Sequence, residues 1–169
     1  MSTLSTWPSK EGLRIGYLNI NHAFNKLTDI SSILENSGKY FHVFCFSESR
    51  LSDRILDSDI AIPGYNILRL DPKASMQTGL LVYFNQAITR NRINSLEQFG
   101  VESLWIEIKI KYSTPLLSGF IYRNPAERNN WFDNFNSMMD AATLINNDIF
   151  VFGDFNIDLL KPQPQWIQM

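Results

Sequence analysis

Val101-Glu102-Ser103-Leu104-Trp105-Ile106-Glu107-Ile108-Lys109-Ile110 decides how this chain is read. Leu104, Ile106, Ile108 and Ile110 alternate with Trp105, Glu107 and Lys109. That is the period of a strand with one wet or partly covered face, which favours antiparallel pairing. Pro115 to Tyr122 (PLLSGFIY) comes next at hairpin distance and is the expected partner. Working back toward the N-terminus, Gly79 to Phe84 (GLLVYF) reads as a strand, as does Tyr65 to Leu70 after the Pro63-Gly64 turn. His42 to Phe46 (HVFCF) reads as a short buried strand, and Leu13 to Ile20 (LRIGYLNI) as an alternating one with Leu13, Ile15 and Tyr17 on one face. Between these, Lys26 to Ser37 places Leu27, Ile30, Ile33 and Leu34 at helical spacing, with Gly38 as a stop signal. Working forward, Trp131 to Ile145 sets Trp131, Phe135, Met138, Ala142 and Ile145 on one helical stripe, read as core packing. Asp148 to Phe152 (DIFVF) is the last buried strand expected, and Pro162 and Pro164 interrupt the final stretch of the chain. Antiparallel-type strands mixed with helices predict a layered α/β fold.

Composition bounds the function. The 169 residues suit one domain, and 44% hydrophobic with 13% aromatic content is enough to bury a core. Fifteen Lys and Arg against seventeen Asp and Glu give a net charge of −2, which excludes a basic arm that coats nucleic acid through charge alone. One cysteine, Cys45, excludes an intrachain disulfide, and two histidines argue against a Cys/His zinc site. Met1 to Lys10 has neither the basic start nor the apolar stretch of a secretory leader. No apolar run approaches the ~18 residues of a membrane span. The expectation is a soluble intracellular domain without membrane contact.

Polar residues gather where strands end: Asn19 and Asn21 after the first, Glu48 after HVFCF, Tyr122 with Arg123-Asn124-Pro125 after PLLSGFIY, and Asp154 with Asn156 after DIFVF. Side chains at strand ends leave the core while keeping a rigid base, which is where α/β folds assemble ligand sites. Glu48 and an Asn19 amide oxygen are hard donors of the kind Mg²⁺ takes. Asp154 is placed to accept a proton from an attacking water, and Asn156, two residues on, to orient that water or a phosphate oxygen. Tyr122 is a hydroxyl donor for developing phosphate charge. Taken singly, each has a plainer reading: with sixteen asparagines, Asn19 or Asn156 is a turn residue. In the same way Glu48 or Asp154 is a cap or solvated loop charge, and Tyr122 an ordinary aromatic. His22 reads as a loop residue, His42 as structural and Cys45 as a small buried hydrophobe.

The motifs taken in order resemble the endonuclease/exonuclease/phosphatase superfamily, and within it the apurinic-type endonuclease domain of non-LTR (LINE-like) retrotransposons. They are Leu18-Asn19-Ile20-Asn21, Phe46-Ser47-Glu48-Ser49-Arg50-Leu51 in place of the usual E-T-W-L, Ile62-Pro63-Gly64-Tyr65, Tyr122-Arg123-Asn124-Pro125 and Gly153-Asp154-Phe155-Asn156-Ile157-Asp158. Their order holds from about Leu13 to Leu160. The resemblance implies a four-layer α-β-β-α sandwich with two mixed β-sheets, spanning residues 13–169 behind an extension of residues 1–12.

It also implies Mg²⁺- or Mn²⁺-dependent phosphodiester hydrolysis, with DNA as the partner and a reverse transcriptase domain encoded downstream. Glu48 would be the principal metal ligand, with Asn19 and Asn21 beside it. Asp154, Asn156, Tyr122 and Asn19 would serve catalysis, and Arg123 and Asn124 substrate binding. Three departures stand out: His22 replaces a small glycine, Gln77-Thr78-Gly79 replaces a glycine-rich stretch, and the closing Ser-Asp-His motif is absent from the 169 residues. That last absence implies a domain incomplete at its C-terminus, with weak or no activity by itself. Two other readings remain: a phosphatase or phosphodiesterase of the same superfamily, or a non-catalytic remnant serving interaction.

Overall fold

A computed structural model describes residues 12–36, 41–73, 77–109, 113–127, 130–158 and 160. Residues 1–11 of the expected extension, the Gly38 stop, Ile110 and the Pro162/Pro164 stretch lie outside the described residues.

The chain runs β1 (Ile15–Asn19), α1 (Leu27–Asn36), β2 (Val43–Ser47), β3 (Tyr65–Leu70), β4 (Leu80–Asn85) and β5 (Thr89–Arg92). It continues through β6 (Glu102–Lys109), β7 (Leu116–Tyr122), α2 (Trp131–Ile145) and β8 (Ile149–Asp154). One sheet has the order β1-β2-β4-β3 and the other β5-β6-β7-β8. Each is mixed: β1/β2 and β7/β8 are parallel, the other neighbours antiparallel.

Strand alternation builds the layers. Val43, Cys45, Leu80, Val82 and Phe84 of the first sheet meet Leu104, Ile106, Ile108, Leu116, Phe120 and Tyr122 of the second in one buried cluster between the sheets. The opposite faces carry Phe44, Phe46, Leu81 and Tyr83, packed with Ile30 and Leu34 of α1, and Trp105, Leu117 and Ile121, packed with Trp131, Met138 and Ala142 of α2. The result is the four-layer α-β-β-α sandwich. Central strands buried on both faces explain why GLLVYF and HVFCF are nearly continuous apolar runs rather than clean alternations.

Three sequence readings change. Thr89–Arg92 (TRNR) is a strand although nothing in it is apolar; it borders β6 at the sheet edge, where polar residues are tolerated. β8 is not a buried strand: it pairs with β7 alone among the described residues, and Phe150 is 54% exposed. Ile145, at the end of the α2 stripe, is likewise exposed, because the helix stops there. No helix of the described residues is long and apolar enough to cross a membrane.

His42 closes the turn into β2. Its Nδ1 accepts the Arg14 backbone N–H at 2.8 Å, a bond that requires the unprotonated nitrogen. Burial, then the charge of Arg14, push the imidazole down from 6.5 to about 4. The unfolded chain therefore binds a proton that the folded chain excludes between these values. Stability is full above pH 6.5 and falls as pH drops toward 4. Discounted for the solvent that reaches this partly exposed ring, the loss is on the order of 1 kcal/mol. Melting temperatures at pH 7, 5.5 and 4.5 should decline in the parent chain and decline less in His42→Gln. Equal slopes in the two chains would remove His42 from the explanation.

Candidate active site

The C-terminal ends of β1, β2, β7 and β8 meet at one rim of the sandwich. They carry Asn19, the residue after Ser47, Tyr122 and Asp154. Two register facts align them: Asn19 stands beside Ser47 in β1/β2, and Tyr122 beside Asp154 in β7/β8. A third bond ties the sheets together beneath this rim: the Tyr17 hydroxyl donates to the Ile121 carbonyl at 2.8 Å.

Four of the sequence-predicted residues form one hydrogen-bonded cluster. The Asn19 amide nitrogen donates to Glu48 Oε1 at 2.7 Å and to Asp154 Oδ2 at 3.2 Å, so one amide spans the two carboxylates and the two sheets. The Tyr122 hydroxyl donates to Glu48 Oε1 at 2.9 Å, and Arg50 donates to Glu48 Oε2 at 2.9 Å. Partial burial works against the Glu48 charge. The bonds from Asn19, Arg50 and Tyr122, with the charge of Arg50, outweigh it and hold the carboxyl below its ordinary range. Burial first, and then the Glu48 carboxylate, push the Tyr122 phenol up, so it remains protonated at neutral pH. Tyr122 is therefore a donor and never a base here.

Backbone strain concentrates at the same rim. Of the six non-glycine residues with positive φ among the described residues, Asn21 (46°), His22 (71°), Glu48 (51°), Arg50 (49°) and Asn156 (50°) all flank the cluster. Glutamate and arginine have no local hydrogen bond that compensates the left-handed conformation as asparagine does, and such residues persist only where surroundings over-determine them. Here the surroundings are ladder-like backbone bonds: His22 N–H to the Glu48 carbonyl, Ala23 N–H to that of Ser49, Ser49 N–H to that of Gly79, and Arg50 N–H to that of Thr78.

The remaining expected residues lie elsewhere. Asn21 is exposed beside the cluster. Asn156 donates its side-chain amide to the Arg123 carbonyl at 2.7 Å, which fixes the turn after β8 and does not reach Glu48. Asn124 uses its side-chain oxygen to accept the Ala126 N–H. Arg123 is buried. Its guanidinium donates to the carbonyls of Phe155, Asn156 and Glu127 and lies 5.6 Å from the ring centres of Trp131 and Phe132. It braces the 123–127 and 155–156 backbones through its two terminal nitrogens, while its Nε is buried without a partner among the described residues. Phe155 packs under α2 against Trp131 and Phe135. Its inward anchor explains why Asp154, one residue earlier, faces the rim. Arg69 is engaged by Asp57, Asp71 and two carbonyls.

The chemistry of the donor set fits Mg²⁺ or Mn²⁺. Two carboxylates lie within reach of one amide, and such ions ask for one or two carboxylates with water completing the shell. No group of three or more His, Cys, Asp and Glu side chains placed to hold a metal ion is found among the described residues.

The layer order and the two mixed sheets are those of the endonuclease/exonuclease/phosphatase fold. Solved structures with this fold include the 3′ phosphatase NExo from Neisseria bound to a product DNA hairpin (TM-score 0.63, 12% identity, 86% of this chain and 58% of that one). They also include the endonuclease domain of TRAS1, a telomere-specific non-LTR retrotransposon (TM-score 0.58, 9% identity, 88% and 61%). A third is an endonuclease/exonuclease/phosphatase family protein from Bacteroides thetaiotaomicron (TM-score 0.59, 13% identity, 88% and 65%). This chain thus spans about three-fifths of the length of the structures it matches. No protein-family model and no curated protein matches the sequence.

Proposed function

We propose that this chain is a divalent-metal-dependent phosphodiesterase domain of the retrotransposon endonuclease type, acting on DNA. The observation that carries the reading is the junction of Asn19, Glu48, Tyr122 and Asp154 from four strands of two sheets. Glu48, charged through the neutral range, holds the cation with Asn19 and Asn21 beside it. Bound Mg²⁺ or Mn²⁺ supplies Lewis-acid polarisation of a phosphoryl oxygen. Asp154 accepts the proton of the attacking water. Tyr122, kept protonated by its surroundings, donates to the phosphate or to Glu48. Asn19 holds both carboxylates at the spacing the substrate meets, and Asn156 with Arg123 keeps the turn beyond Asp154 in place. The retrotransposon assignment rests on the motif order of the sequence, and DNA as substrate on that order together with the DNA-bound 3′ phosphatase among the fold neighbours.

Supercoiled plasmid nicking with Mg²⁺, run beside phosphate release from inositol lipids, tests this reading. Slow nicking that Glu48→Ala abolishes supports it, whereas phosphate release without nicking moves the chain to the phosphatase branch. Metal binding that is unaffected by Glu48→Ala overturns the site itself.

A further inference from the structure

Glu102 opens β6, directly opposite Tyr122 in the β6/β7 ladder, and only 6% of it is exposed. A carboxylate buried to this extent needs partners, and it has them. Oε1 and Oε2 each accept the Thr78 N–H at 3.1 Å, and Oε1 also accepts the Gly79 N–H and the Thr78 hydroxyl. Burial raises its pKa and these donors counteract that. The two residues it grips are the ones whose carbonyls receive the Ser49 and Arg50 N–H groups at 3.1 and 2.8 Å. Glu48, left-handed at φ 51°, directly precedes those anchored residues and follows Ser47 of the β2/β4 ladder. The contact is close by necessity. Gly79 has φ +88°, and a Cβ there would fall 2.5 Å from Ser49 Oγ and 3.1 Å from the Leu70 carbonyl.

We infer that Glu102 is a positioning residue for the metal site, clamping the Thr78-Gly79 backbone so that this backbone holds Ser49 and Arg50 and thereby fixes the strained Glu48 that immediately precedes them. The inference rests on the proposed reading of Glu48 as a metal ligand. Its physical content is a relay of directed bonds: two amide N–H groups to the carboxylate, two further N–H groups to the carbonyls of the same two residues, and the ligand one residue before those. The anchoring comes from a side chain on the other sheet.

Glu102→Gln in the full 169-residue chain tests it, because the amide keeps the shape but turns one donor toward the Thr78 N–H. Two readouts are taken: amide hydrogen exchange at Ser49 and Arg50 by NMR, and Mn²⁺ affinity by calorimetry with Glu48→Gln as control. The expected result is at least tenfold faster exchange at Ser49 and Arg50 and Mn²⁺ binding about tenfold weaker, as outer-shell partners of metal ligands commonly give. The Ile20 amide, which bonds to the Ser47 carbonyl outside the relay, should keep its rate. Unchanged exchange at Ser49 and Arg50, or equal acceleration at Ile20, overturns the inference. Should Glu102→Gln fail to fold, Glu102→Asp, which keeps the charge and shortens the reach, carries the same comparison with smaller changes expected. If the parent chain binds no Mn²⁺ through Glu48, the metal reading fails, and the exchange rates still decide whether Glu102 positions this backbone.

Discussion

A Glu48→Gln chain should melt close to the parent temperature and bind Mn²⁺ at least about 100-fold more weakly. Groups that merely orient a metal ligand cost about 10–100-fold in affinity when removed, so loss of the principal ligand's charge sits at or beyond the top of that range. The shape of the side chain survives, and its remaining oxygen can still accept from Asn19 and Tyr122, leaving only the partly exposed Arg50 contact to be lost. The fold therefore has little reason to respond. Because the carboxyl is held below its ordinary range, the parent chain should retain binding as pH falls through 5, where an unassisted carboxylate begins to protonate. Calorimetric titration with Mn²⁺ at pH 7 and pH 5, on both chains, makes the comparison. Equal affinities in the two chains would take Glu48 out of the site.

The largest stability effect belongs to Trp105→Ala, at about 3–5 kcal/mol. Trp105 is fully buried, its ring lies across Gly119 on the neighbouring strand, and its indole N–H points to Met138 Sδ at 3.4 Å. A Cβ on Gly119 would fall 2.7 Å from that ring, so the glycine exists to make room for it. Without the indole nothing on that strand fills the space. The neighbouring α2 residues, Trp131 and Met138, are themselves buried and cannot collapse inward freely. For a chain of this length the melting temperature should fall by roughly 10 °C, and urea denaturation should show the full loss. A change under about 1 kcal/mol would mean the α2 layer repacks far more easily than its burial suggests.

The layered α/β class was legible because Leu104, Ile106 and Ile108 alternate and α1 and α2 show stripes, whereas the four-layer sandwich with two mixed sheets came from the resemblance carried by the motif order. Asn19, Glu48, Tyr122 and Asp154 were legible because each lies at the end of an apolar strand, where a polar residue has no packing reason to sit. Thr89–Arg92 was not, since an edge strand needs no apolar pattern and TRNR carries none. Arg123 beside the Tyr122 motif looked like a phosphate contact. Its partners are backbone carbonyls at 127, 155 and 156 and aromatic rings at 131 and 132, which chain distance hides. Glu102 escaped notice for the same reason. It precedes the apolar alternation and reads as a surface charge, until Thr78 and Gly79 arrive from the other sheet.

Asp154 sits on β8, the strand with a single ladder neighbour among the described residues and an exposed Phe150 on its flank. A strand held by one ladder opens at lower free energy than strands paired on both sides, here at the cost of the Phe152 stack on Phe120. In such an opened molecule Glu48 remains in place and its partner carboxylate is gone. A ligand that needs both carboxylates therefore binds only the closed fraction, and its apparent dissociation constant is the intrinsic one divided by that fraction. Whatever holds β8 against β7 tunes the affinity of the site without touching it.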